Sequence, residues 1–261
     1  MDIEYYQVNA FTDQFNGGNP AAVCPLSGGT WLDDSQLQAI AKENNFSETA
    51  FYISNGDNYD LRWFTPGTEV DLCGHATLAA ATILFKKNPL HEKVNFNTRS
   101  GVISVSKKDS YLCLDMPAWP AQPCSLDKSI LSGLGAKPIA ILKSNYYLLV
   151  FDNEETIRKL KPDFNIIQKI DLWGMIVTAP SKQYDFVSRF FGNASTGIDE
   201  DPVTGSAHCI LTPYWSAQLN KKELSAFQCS ERGGELHCTL NDDRVQVSGQ
   251  SMIYAQGHIT I

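Results

Sequence analysis

The chain has no run of lysine or arginine, no Cys-x-x-Cys pair and no apolar segment near the length of a membrane span. Each absence removes a class of function. With 21 basic residues against 29 acidic ones, a net charge of −8 and no basic cluster, neither nucleic acid nor an anionic membrane surface is an expected partner. The longest near-continuous apolar stretch, Leu78 to Phe85, is broken by Thr82 and far too short to span a bilayer. Met1-Asp2-Ile3-Glu4-Tyr5 carries acids where a secretory leader carries bases, so the chain is expected in the cytoplasm. Seven cysteines (24, 73, 113, 124, 209, 229 and 238) form an odd set. That argues against a disulfide framework and a structural zinc site, and for reduced thiols. Phosphate-binding, dinucleotide-binding, nucleophile-elbow and zinc-protease motifs are all missing, so nucleotide-dependent and zinc-protease readings lose their main support.

What is present is ordinary for a globular protein. Hydrophobic residues make up 43% of 261 and charged residues 19%, and a chain of this length buries roughly 70–75% of its unfolded surface. The length suits one large domain or two. Alternating segments predict strands at Tyr59–Thr65, Val102–Lys107, Tyr111–Met116, Glu235–Leu240 and Arg244–Val247. Asp33-Asp34 can cap a helix running to about Asn44 with Leu37, Ile40 and Ala41 on one face, and Glu154–Leu160 reads as a short amphipathic helix.

Two further helices have a different character. Gly74–Phe85 is apolar nearly all round, the mark of a helix enclosed by its surroundings. Gly205–Trp215 is similar, with Pro213 removing the hydrogen bond to Cys209. Arg62-Trp63-Phe64 precedes the first and Arg189-Phe190-Phe191 the second, and each triplet is followed by an acidic loop and a Gly-x-Ala helix opening. The second loop is four residues longer. The pattern predicts an α/β (α+β) chain of two similar lobes, each a sheet around one buried helix. The first lobe is expected over residues 1–116 and the second over 117–249.

Chemistry concentrates at three element ends. Asp71-Leu72-Cys73-Gly74-His75-Ala76-Thr77 opens the first buried helix, where unpaired N–H groups and a glycine suit a carboxylate or phosphate. His75 could add a donor and Cys73 a thiolate, although simple packing of both, with Asp71 capping, accounts for them as well. Asp199-Glu200-Asp201 precedes Thr204-Gly205-Ser206 at the second opening. Three acids there fit the helix dipole, and the three residues after them could form a second anion site. Ser47-Glu48 leads into an apolar strand at Ala50–Ile53, where partial desolvation would suit Glu48 to acid–base work; spacing alone favours an exposed loop carboxylate. Gly17-Gly18-Asn19-Pro20 is first a turn signal. His91, His237 and His258 have no partner within helical or strand reach. Trp63, Phe64, Phe190 and Phe191 read as core, and Cys113, Cys209, Cys229 and Cys238 as small hydrophobes.

Taken in order, these segments resemble the PhzF-like family, named for the phenazine-biosynthesis isomerase. The matching pieces are Val8-Asn9-Ala10-Phe11-Thr12 with Gly18–Val23, Ser47–Phe51, Arg62–Pro66 with Glu69–Thr77, and Asp201–Ala207, spanning roughly residues 8 to 215. The form Cys73-Gly74-His75-Ala76-Thr77 looks like a largely uncharacterised branch. The resemblance implies a diaminopimelate epimerase-like fold, with two pseudo-symmetric lobes, each a curved mixed sheet wrapped around a central helix. It implies a homodimer, a last strand at about 250–261 that returns to complete the first lobe, and an active site at the two helix openings between the lobes. It implies cofactor-free isomerisation of a small carboxylic acid by proton transfer. Glu48 matches the family's proton-shuttling glutamate, and His75, Asp201 and Ser206 match its other polar residues. Gly74 and Gly205 match its backbone anion contacts, and Asn19 and Cys73 fall among its substrate-binding positions.

One departure matters. Two-cysteine racemases and epimerases of similar fold need a thiol at each helix opening, and Pro202 stands where the second would be. That chemistry is disfavoured. Two other readings stand beside the isomerase: an enzyme using Cys73 as nucleophile with His75 as base, and a non-catalytic binding protein. Adjacent residues point differently off a helix start, which predicts a poor Cys73–His75 pair.

Overall fold

Two arginines, Arg62 and Arg189, sit at equivalent places in two copies of one strand pattern. The computed structural model describes residues 1–261, which divide into a unit of Met1–Asp115 with Ser248–Ile261 and a unit of Met116–Val247. The first contains β1 (Asp2–Ala10), β2 (Asn19–Pro25), α1 (Asp34–Asn44), β3 (Thr49–Asn55), β4 (Asn58–Phe64), β5 (Glu69–Val70), α2 (Gly74–Lys87), β6 (Lys93–Thr98) and β7 (Gly101–Lys108), then enters β8 (Tyr111–Pro117). The second contains β9 (Gln122–Pro123), α3 (Lys128–Ser132), β10 (Ala140–Lys143), β11 (Tyr147–Val150), α4 (Glu154–Lys159), α5 (Phe164–Ile167), β12 (Gly174–Pro180), β13 (Phe186–Gly192), β14 (Glu200–Asp201), α6 (His208–Leu219), β15 (Glu223–Gln228) and β16 (Gly234–Asn241), then enters β17 (Arg244–Gly249). The final strand, β18 (Ser251–Thr260), returns to the first unit and pairs antiparallel with β1.

In the first unit β2 runs parallel to β3, β3 antiparallel to β4, β4 antiparallel to β5 and parallel to β6, and β6 antiparallel to β7. In the second unit β11, β12, β13, β14, β15 and β16 repeat that sequence of pairings in the same order. The repeat extends to side chains. Arg62 grips Glu69 through Nε and Nη2, both at 2.7 Å, and Arg189 grips Glu200 at 2.7 and 2.8 Å. Each guanidinium also lies over the aromatic ring two residues on, Phe64 at 5.1 Å and Phe191 at 5.0 Å. The arginine-to-glutamate separations of 7 and 11 residues account for the longer second loop.

The first buried helix is enclosed as its composition requires: eleven of its residues, from Gly74 to Phe85, are buried, and it packs against β1, β2, β3, β7 and β18. Polar residues inside it turn back on the backbone, Thr77 Oγ1 donating to Cys73 O at 2.5 Å and Thr82 Oγ1 to Leu78 O at 2.8 Å. The second begins differently from its expected form. Gly205–Ala207 is a turn of 3₁₀-helix, and α-helical bonding starts only at His208. Pro213 lies inside α6, and the Cys209 carbonyl it leaves accepts the Trp119 N–H at 2.8 Å instead.

Separate apolar clusters hold the units. Leu37, Ile40 and Ala41 of α1 pack with Phe51 and Phe64, and Phe151, Ile157, Val177 and Phe191 centre the other. Trp63, Phe64, Phe190 and Phe191 are core residues, as expected. None of the seven cysteines is in a disulfide, and burial pushes Cys238 up to about 12 and Cys229 up to about 11, consistent with small hydrophobes. One histidine reading is corrected: His237 Nε2 lies 3.2 Å from Glu235 Oε1, because residues two apart on a strand share a face. No helix is long and apolar enough to cross a membrane.

Candidate active site

Three element beginnings meet in the first unit. Gly18 takes φ +64, and a Cβ there would lie 2.2 Å from Ala10 O, so only glycine turns the chain into β2 with Asn19 at its start. Glu48 precedes β3, the parallel neighbour of β2. Cys73 is the extended N-cap of α2, and His75 lies in its first turn.

Their side chains converge. Asn19 Nδ2 lies 3.2 Å from His75 Nδ1, and His75 Nε2 lies 3.3 Å from Glu48 Oε2. Asn19 Nδ2 can only donate, so Nδ1 is the acceptor in that contact. Burial pushes the His75 imidazole down to about 3, so it is neutral in the folded protein. Glu48 is not the exposed loop carboxylate that spacing allowed, its side chain being 14% exposed.

Cys73 reverses an expectation. Its Sγ lies 3.5 Å from His75 Nδ1, because an N-cap with φ −144 and ψ 110 turns its side chain across the helix start. Asp71 does not cap: its side chain is exposed, 3.7 Å from Arg99. The donor atoms of Glu48, Cys73 and His75 lie within 4.8 Å of one another, a set that a divalent ion could accept. Glu48 and Cys73, however, approach opposite nitrogens of the ring, which suits a chain of proton donors and acceptors better than a single ion.

In the second unit the acids before the helix opening have specific partners rather than a general dipole role. Asp199 accepts from Gln168 Nε2 at 2.6 Å, Glu200 holds Arg189, and Asp201 Oδ2 accepts from Thr204 Oγ1 at 2.5 Å. Gly205 and Ser206 form the 3₁₀ turn. Ser206 Oγ lies 3.1 Å from the Tyr146 hydroxyl, and Tyr146 stands edge-on to Phe190 at 5.1 Å and to Trp119 at 6.2 Å. Tyr146 and Gln228 carried no sequence signal, since neither sits in a motif and each belongs to a strand or turn far from the helix opening. Glu48, His75, Cys73, Asn19 and Gly74 thus share the first unit, and Asp201, Gly205 and Ser206 the second.

The two buried histidines make stability fall in acid. His208, whose Nδ1 donates to Thr204 O at 2.9 Å, is pushed down to about 4 by burial. Both folded values lie below the unfolded value of about 6.5, so the unfolded state binds more protons once pH drops below that point. Unfolding free energy is expected to fall between pH 6.5 and 4 by up to about 3 kcal/mol per pH unit from the pair. His208→Asn, which keeps a donor near the Nδ1 position, should roughly halve that part of the slope in denaturant titrations; an unchanged slope would contradict the assignment.

The family model described as phenazine biosynthesis-like protein (PhzC-PhzF) matches residues 8–257. A Pseudomonas aeruginosa protein named as an uncharacterized isomerase is 48% identical, with 98% of each chain covered. A Homo sapiens phenazine biosynthesis-like domain-containing protein is 37% identical over the whole of both chains. The crystal structure of a PhzF-family phenazine biosynthesis protein from Enterococcus faecalis superposes with a TM-score of 0.95 at 42% identity, covering all of both chains. A hydroxyproline epimerase from Agrobacterium vitis shares the fold alone, with a TM-score of 0.66 at 10% identity and 99% and 92% coverage. Fold and relatives define a PhzF-type isomerase on the diaminopimelate epimerase-like scaffold. The chain belongs to the PhzC-PhzF, phenazine biosynthesis-like family.

Proposed function

We propose that the chain isomerises a small carboxylic acid without a cofactor, by moving one proton through Glu48. The observation that carries this reading is the Glu48 carboxylate, 14% exposed, whose Oε2 lies 3.3 Å from Nε2 of the neutral His75 ring. A neutral imidazole at that distance adds no positive charge beside Glu48. The substrate carboxylate would dock on the N–H groups at the opening of α2, near Gly74 and Cys73, with Asn19 alongside. Glu48 would remove a proton beside an unsaturated system and return it to another carbon on the same face. From the family resemblance, Asp201 is assigned to orienting or sharing that proton, and Ser206 and Gly205 to holding the substrate. Cytoplasmic action as a homodimer belongs to the same proposal.

A second reading has one observation in its favour. The 3.5 Å approach of Cys73 Sγ to His75 Nδ1 is the geometry of a thiol beside a base, which would make Cys73 a nucleophile. Cys73→Ala separates the two. Deuterium exchange into a bound acid within a few-fold of wild type supports Glu48 chemistry, and complete loss in Cys73→Ala supports the thiol. A carboxylic-acid panel read by thermal shift comes first. At 100 times Kd a ligand adds about 2.7 kcal/mol of stability, and no shift from any acid would favour a non-catalytic protein.

A further inference from the structure

Gln228, at the end of β15, is fully buried 24 residues along the chain from Thr204, yet its amide joins the loop that carries Asp201. Its Oε1 accepts the Thr204 N–H at 2.8 Å, and its Nε2 donates to Asp201 O at 2.7 Å and to Thr204 Oγ1 at 3.2 Å. The direction of every bond in this network follows from the first. A backbone N–H can only donate, so the oxygen of the Gln228 amide must face Thr204 N and its nitrogen must face the other two atoms. Thr204 Oγ1 therefore receives a proton from Gln228, and its own single hydroxyl proton is directed to Asp201 Oδ2, 2.5 Å away. A proton on that carboxylate oxygen would place two hydrogens between two oxygens. Asp201 Oδ2 is an acceptor.

We propose that Gln228 and Thr204 are positioning residues that hold Asp201 Oδ2 as a hydrogen-bond acceptor and fix the plane of its carboxyl group. The hydroxyl bond, held in direction by the Gln228 amide, fixes the side from which that oxygen is approached. Buried groups surround it: Asp201 is 7% exposed, Thr204 6% and Gln228 0%. His208 packs on the same loop as a neutral ring donating to Thr204 O, which adds rigidity without adding charge. The inference rests on the reading of Asp201 as a substrate-facing group and deepens it. Asp201 Oδ2 carries no proton in the resting enzyme; it receives a hydrogen bond or a proton from the substrate, and the acid is Glu48 once it has been protonated.

The test has a substrate-free arm and a kinetic arm. A threonine hydroxyl bound this closely to a carboxylate should give a slowly exchanging, downfield proton resonance. That signal is expected in wild type and Thr204→Ser, absent in Thr204→Val, and moved upfield in Asp201→Asn and Gln228→Leu. In deuterium exchange with whichever acid of the panel wild type exchanges, Thr204→Val and Gln228→Leu should lose on the order of 10- to 100-fold in kcat, with Thr204→Ser restoring it. No such resonance in wild type, or one indifferent to Asp201→Asn, overturns the hydrogen-bond assignment. Full activity of Thr204→Val alongside an inactive Glu48→Gln overturns the positioning role and leaves the isomerase reading standing. If no acid exchanges with wild type, the isomerase reading fails and the resonance alone decides the state of Asp201.

Discussion

Arg189→Met is expected to be the most destabilising single change at a polar residue, lowering stability by about 3 kcal/mol. The guanidinium is 11% exposed and makes four bonds, two to Glu200 and one each to the carbonyls of Ile157 (3.1 Å) and Leu160 (2.9 Å). Methionine fills the volume and supplies none of these donors. It leaves a carboxylate with a side-chain exposure of only 22% and two carbonyls without their charged partner. Arg62→Met should cost less, although the residue is the repeat equivalent. Arg99 Nη2 also reaches Glu69 at 2.6 Å, so that carboxylate keeps a cation after the substitution. The thermal midpoint should fall by roughly 6–12 °C for Arg189→Met, and by clearly less for Arg62→Met. Equal effects would mean that the two ion pairs do not differ in their backup.

Glu48→Gln is expected to keep carboxylate binding and to lose about 10²- to 10⁴-fold in turnover, the range for removal of a positioned acid–base group. The amide is nearly isosteric with the carboxylate, so the pocket's shape is retained while the proton acceptor is not. The same thermal shift with a binding acid in mutant and wild type, together with lost turnover, is the predicted pattern. Loss of binding along with turnover would make Glu48 a binding residue instead.

The repeated half of the fold was legible in the sequence because it lies in side chains with few alternatives. Arg62-Trp63-Phe64 and Arg189-Phe190-Phe191 each demand a buried acid for the arginine and a core for the rings, and both receive them from the next short strand. The helix Gly74–Lys87 was legible for a related reason, since a stretch apolar on every face has nowhere to go but inside. The finer chemistry was not. The Cys73–His75 approach depends on the extended backbone at residue 73, and side-chain spacing carries no information about one φ/ψ pair. The 3₁₀ opening at Gly205–Ala207 differs from an α-helix by one hydrogen-bond step, which residue type does not encode. Gln228 was invisible because its partners lie 24 and 27 residues away and are joined to it only by strand pairing. Asn19 was legible as a turn residue, and its contact with His75, 56 residues on, was not.

The central claim is that Glu48 moves a proton on a small acid. Its most direct test is proton NMR of candidate unsaturated and amino carboxylic acids incubated in deuterated water with wild type and with Glu48→Gln. Deuterium entering one carbon-bound position of a bound acid with wild type, and failing to enter with Glu48→Gln, is the result expected. Exchange that continues undiminished in Glu48→Gln would contradict it.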